Sequence, residues 1–112
     1  MKSVLIGSVY SSQIVLEEMI SSKFPIDMVF SLDESFSRDV SGYCPIHITA
    51  EKHKIPVKKF RKICDDENVE ILERIKPDYI FVIGLSQLID KRILKIPTKG
   101  CVGFHPTPLP KY

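Results

Sequence analysis

The chain has 112 residues, 44% of them hydrophobic and 27% charged, which predicts one globular domain over residues 1–112 rather than a disordered or fibrous chain. The formal net charge is only +2, and the lysines and arginines are interspersed with acids. That balance gives no broad basic face and argues against nucleic acid as the principal partner. No run of about 18 apolar residues occurs, so no membrane span is predicted.

The start, Met1 to Gly7, lacks a long apolar segment with a cleavage site and reads as a first strand rather than a signal peptide. Cys44, Cys64 and Cys101 are far apart, and neither they nor His47, His53 and His105 fall at zinc-ligand spacing. The expectation is free thiols in a reducing cytoplasm and no metal.

Ser3 to Gly7 is an apolar run fit for a strand buried on both faces. A helix from Gln13 to Ile20 follows, with Ser11 or Ser12 as its cap and Ile14, Leu16, Met19 and Ile20 facing inward. Such a turn presents helix N–H groups to an anion, although Gly-x-Gly-x-x-Gly and a phosphate-loop lysine are both missing. Ile26 to Ser31 is the second predicted strand, and the polar stretch Leu32 to Gly42 reads as a mobile surface loop. Cys44 to Lys54 predicts a short helix and Ile55 to Val57 a third strand at the sheet edge, marked by Pro56. The basic stretch Lys52 to Lys62 reads as a solvated loop and helix start. Asp65 to Ile75 is a helix stopped by Pro77, with Val69, Ile71, Leu72 and Ile75 inward. Asp78 to Gly84 is the strongest strand, β-branched and apolar enough to be central. A helical turn at Asp90 to Leu94 leads to a last strand, Cys101 to Phe104, which runs into His105 and a loop stiffened by Pro106, Pro108 and Pro110.

This alternation predicts a Rossmann-like three-layer α/β/α domain with a mainly parallel sheet, in the order third, second, first, fourth, fifth strand. Ligands of such sheets bind beyond the strands' carboxyl ends where the order reverses, here between the first and fourth strands. Gly7, Ser8 and Ser11, then Gly84, Leu85, Ser86, Gln87 and Leu88, then His105, Pro106 and Thr107 all fall on that edge. His105, at a strand end with a rigid loop behind it, is the candidate proton-handling residue.

The segments Pro77 to Gly84 and Gly100-Cys101-Val102-Gly103-Phe104-His105-Pro106-Thr107-Pro108-Leu109-Pro110-Lys111-Tyr112 resemble the folate-dependent formyltransferase family. That family includes methionyl-tRNA, glycinamide ribonucleotide and sugar-nucleotide formyltransferases. Its signature is Asn-x-His-[Pro/Gly]-Ser-Leu-Leu-Pro, then a basic or aromatic residue, then Arg-Gly. The resemblance implies 10-formyltetrahydrofolate as donor and an amine of a small metabolite, a sugar nucleotide or an aminoacyl-tRNA as acceptor. By position, His105 matches the catalytic histidine, Gly84 to Leu88 the segment lining the pterin pocket, and Pro106 to Pro110 the loop shaping the site. Gly7, Ser8, Ser11, Pro106 and Thr107 are the candidate substrate-binding residues.

Two departures follow from the same comparison. Gly103 stands where the family has Asn, and the chain ends at Tyr112, before the expected Arg-Gly and the later catalytic Asp. The expectation is a truncated domain whose 112 residues do not catalyse efficiently alone. The alternative is a Rossmann-like ligand-binding module without chemistry. A flavodoxin-like or receiver-like regulatory domain is disfavoured, because the first strand ends without paired acids. An open edge on the fifth strand would favour a homodimer.

Overall fold

The computed structural model describes residues 1–104. Five strands, β1 (Ser3–Gly7), β2 (Met28–Leu32), β3 (Val57–Phe60), β4 (Tyr79–Ile83) and β5 (Gly100–Phe104), lie parallel in the order β3-β2-β1-β4-β5, the order expected from the sequence. Helices α1 (Tyr10–Ser21), α2 (Ile46–Lys52), α3 (Asp66–Ile75) and the short α4 (Lys91–Leu94) connect them. The result is the expected Rossmann-like α/β fold.

The sheet separates two cores because successive strand side chains point to opposite faces. Val4 and Ile6 of β1 join Phe30, Ile80, Leu72 and Ile93 on the side of α3 and α4. Leu5 joins Val29, Ile83, Leu16, Ile46 and Ala50 on the side of α1 and α2. β1 is buried throughout, as its unbroken apolar run requires.

Several boundaries differ from the sequence reading. α1 begins at Tyr10 with Val9 in the capping position, so Ser11 and Ser12 lie inside its first turn. Ile14 is half exposed rather than inward. β2 starts at Met28, two residues later than expected. β3 runs from Val57 to Phe60 and takes Lys58 and Lys59 out of the stretch read as loop and helix start. These lysines suit an edge strand because each meets an acid: Lys58 Nζ lies 2.7 Å from Glu67 and Lys59 Nζ 3.0 Å from Glu34. α2 is shorter than predicted, Ile46–Lys52. The stretch read as a mobile loop contains a 3₁₀ turn, Glu34–Phe36, which the Asp33 carboxylate caps by accepting the Ser35 N–H at 2.9 Å. Tyr43 then bridges to Val9, and its hydroxyl donates to the Leu32 carbonyl at 2.9 Å. α3 ends at Lys76, which adopts the left-handed conformation at φ 52° just before Pro77.

Asp78 ties three strands together at the opposite edge of the sheet. Its carboxylate accepts the Lys2 N–H at 2.8 Å and the Thr98 hydroxyl at 2.8 Å, before β1 and β5 respectively. The Lys2 N–H and the Thr98 hydroxyl hold the Asp78 carboxyl below its ordinary range. A depressed folded-state value makes the contribution complete above the unfolded value, about 3.9, and lost as pH falls through the folded value. Asp78→Asn is therefore expected to lower stability at neutral pH, and its urea-unfolding curve should converge with wild type as pH falls below about 4. A stability difference unchanged down to acid pH would show that the charge contributes nothing.

Candidate functional site

At the reversal of strand order, the backbones of β1 and β4 and the first turn of α1 are in close contact. Gly7 pairs with Ile83, and a Cβ on Gly7 would sit 2.6 Å from the Ile83 carbonyl oxygen. Gly84 has φ +63°, and a Cβ there would sit 2.8 Å from the Ser12 hydroxyl and 2.9 Å from that of Ser11. Both glycines are required, one by approach and the other also by conformation. Into this space α1 sends Ser12, which is fully buried. Its hydroxyl donates to the Ile83 carbonyl at 2.5 Å and accepts the N–H groups of Ser8 and Val9, each at 3.2 Å. The Ser8 hydroxyl donates to the Gly84 carbonyl at 3.2 Å.

The amides that the sequence offers to an anion are thus partly committed inside the protein. Ser12 takes two of them, and the Tyr10 N–H donates to the Gly42 carbonyl at 3.2 Å. Gly7 and Ser8 are buried, and Ser11 is half exposed at the mouth of this junction.

A separate cavity of about 500 Å³ opens where the loops after β2, β3 and β4 meet. Phe36, Arg61, Lys62, Cys64, Gln87 and Leu88 line it. Its apolar wall includes Leu88, 85% exposed, and Phe36, 47% exposed, with the Arg61 guanidinium 6.0 Å above the Phe36 ring. The segment Gly84 to Leu88 divides in function along its length. Leu85 is buried in the core beside α3 and α4, Ser86 is exposed, and Gln87 and Leu88 face the cavity. Gln87 also hydrogen-bonds the backbone of the loop after β3, at Arg61 and Ile63. The Cys64 thiol donates to the Leu88 carbonyl at 3.3 Å, and Arg92 donates to the Cys64 carbonyl at 2.7 Å.

Burial pushes the Cys64 thiol up, as it does Cys44 and Cys101, so none is poised as a thiolate nucleophile. Ser31, His47 and Glu34 have the look of a nucleophile–base–acid set, with Ser31 Oγ 3.5 Å from His47 Nδ1 and Glu34 Oε2 3.3 Å from His47 Nε2. Ser31 is fully buried within β2, which leaves its hydroxyl no access to a substrate. The set instead anchors the 3₁₀ turn that carries Phe36, because Glu34 bridges His47 and Lys59. The hydrogen bond from Lys59 to Glu34 holds the ammonium above its ordinary value.

β5 ends with Gly103 opposite Val82 and Phe104 opposite Ile83, alongside Gly84. Gly103 is exposed, and among the described residues a Cβ there would meet the Val82 carbonyl oxygen alone, at an ordinary 3.7 Å. His105, Pro106 and Thr107 lie outside the described residues. Among the described residues, no group of three or more His, Cys, Asp or Glu is placed to hold a metal ion, and no helix is long and apolar enough to cross a membrane.

A family model described as Formyl transferase matches residues 4–112. The chain belongs to the formyl transferase family. The methionyl-tRNA formyltransferase of Halalkalibacterium halodurans is 34% identical over 114 residues, covering 100% of this chain and 36% of its own length. That of Thermotoga maritima is 30% identical over 114 residues with the same coverage. That of Clostridium botulinum reaches 41% over 72 residues, or 63% of this chain and 23% of its own. The chain spans about a third of the length of the curated relatives it matches end to end.

Within this formyl transferase domain, two roles escape sequence reasoning. Ser12 reads as a helix cap, whereas it is the junction between β1, α1 and β4. A small polar residue five positions after the strand's closing glycine is the only local hint. Gln87 carries no local hint, because its partners are 24 and 26 positions away. Ser12→Ala leaves three buried or part-buried backbone groups without this partner and is expected to cost about 1–3 kcal/mol in urea unfolding. Gly84→Ala meets both strain and overlap and should cost at least about 1–3 kcal/mol. Wild-type stability in both variants would show that the junction does not hold the fold.

Proposed function

We propose that this chain forms the donor-binding part of an enzyme that transfers a formyl group from 10-formyltetrahydrofolate to an amine. The family match over residues 4–112 carries this reading, together with full-length coverage by proteins named methionyl-tRNA formyltransferase. The acceptor class is an amine on a small metabolite, a sugar nucleotide or an aminoacyl-tRNA.

The residues fit such a donor. The cavity's volume, about 500 Å³, lies within the range of small-molecule sites. Its apolar side, Phe36 and Leu88, suits a flat aromatic ring, and Arg61 and Lys62 suit carboxylates. The donor supplies an activated formyl carbon. The protein's tasks are to orient it, to stabilise the negative charge that develops on the formyl oxygen, and to take up the amine proton. His105 is assigned the charge and proton role from its place in the motif, directly after β5. The register of β5 on β4 brings the strand end that precedes His105 beside Gly84. Gly103 supplies no side-chain donor, and this favours a second reading in which the domain binds folate without rapid turnover.

Two measurements separate these readings. 5-Formyltetrahydrofolate at a hundredfold excess over its dissociation constant should stabilise the protein by about 2.7 kcal/mol, read as a raised melting temperature. No response to reduced folates would sink the donor assignment. In single-turnover transfer, His105→Ala should lower the rate by about 100- to 1000-fold, and Gly103→Asn should raise it by a factor in the same range. No described residue opposes a side chain at position 103, so the latter variant is expected to fold, checked by its melting temperature. An unchanged rate in Gly103→Asn would show that another group already stabilises the oxyanion. Folate binding with no turnover in either form would establish the second reading.

A further inference from the structure

Two side-chain amides hold three consecutive residues of the loop after β3. Gln87 Oε1 accepts the Ile63 N–H at 2.7 Å, and Gln87 Nε2 donates to the Arg61 carbonyl at 2.7 Å. Asn68, on α3, donates from Nδ2 to the Lys62 carbonyl at 2.8 Å. A carbonyl at one residue and an N–H two residues later are the pair that a neighbouring parallel strand engages. The Gln87 carboxamide therefore engages the loop just beyond Phe60 as a strand's peptide group would. The residue between these two bonds is Lys62, and the residue that contributes the carbonyl is Arg61.

Arg61 and Lys62 are the cations of the cavity lining. Both are exposed and flexible, and a long cationic side chain loses much rotamer freedom when it engages a ligand. What the protein can fix in advance is the backbone from which they project. Gln87 does this from the wall of the same cavity, while Asn68 secures the intervening carbonyl from behind.

We infer that Gln87 is a positioning residue for a carboxylate-bearing ligand: its carboxamide fixes the Arg61–Ile63 backbone so that the Arg61 and Lys62 cations meet the ligand's carboxylates at the cavity. Gln87 thereby sets the selectivity for charged over neutral forms of the same ligand. This rests on the reading of the cavity as the donor site.

The test measures binding by calorimetry for wild type and Gln87→Ala with two ligands, 5-formyltetrahydrofolate and its diamide, in which both glutamate carboxylates are neutral. The charged ligand should bind Gln87→Ala about tenfold more weakly, and the diamide should change by less than about twofold. Equal weakening of both, or no weakening, overturns the inference, since a general loss of packing would not discriminate by ligand charge. A third probe, 4-aminobenzoyl-L-glutamate, separates the two levels of the argument. If wild type binds this probe but not 5-formyltetrahydrofolate, the donor reading fails, and the same tenfold loss with the probe decides the role of Gln87. If wild type binds neither carboxylate probe, the inference is overturned. Should Gln87→Ala not fold, Gln87→Glu keeps an acceptor for Ile63 and loses only the donor to Arg61. It also places a negative charge beside both cations, so carboxylate binding should fall more than tenfold. Retained binding in that variant overturns the role.

Discussion

One buried hydroxyl, that of Ser12, organises the edge of the sheet where the strand order reverses. It can reach the Ile83 carbonyl only because Gly7 and Gly84 carry no side chains, and a Cβ on either would overlap it. Its acceptor side satisfies the Ser8 and Val9 amides, so the turn from β1 into α1 is fixed by the strand beyond it. Inside a low-dielectric junction, a hydroxyl with three partners is worth keeping and costly to disrupt. The positions of Gly84 and the segment after it, which leads to the cavity, follow from that contact.

The cavity has the same logic at a second scale. Three loops meet there, and each is held by side chains rather than by regular structure. Glu34 secures the first through His47 and Lys59, Gln87 secures the second from the third, and the Cys64 thiol returns a bond from the second to Leu88. Loops held in this way offer a defined surface while their outward side chains remain free to engage a ligand.

Local pattern was enough to read the sheet. β1 and β4 are continuous apolar runs, and alternation with helices leaves few topologies, so strand order and the point where it reverses were legible. The family was legible too, from the motif around His105. Boundaries at the sheet's edge were not. Lys58 and Lys59 look like loop residues until Glu67 and Glu34 arrive from elsewhere in the chain to neutralise them. Ser12 is a related case: it serves the helix start through the Val9 N–H, but it also serves β4, more than seventy positions away, where helix-end rules do not reach. The candidate site was legible as a set of segments, but not as a division of labour within Gly84 to Leu88. Burial of Leu85 and the outward turn of Gln87 depend on the loop after β3, which no local signal connects to β4.

Gly103 has a consequence for how chemistry and folding are separated in this domain. It sits on β5, exposed, with no close contact from the described residues where a side chain would project. Among the described residues, nothing at position 103 opposes a polar side chain, so that position is not tied to the packing of the sheet. Gly84, one strand away, is the opposite case, since its backbone conformation and its neighbours both forbid a side chain. Adjacent strand ends thus combine one position locked by architecture with one that the described residues leave unconstrained.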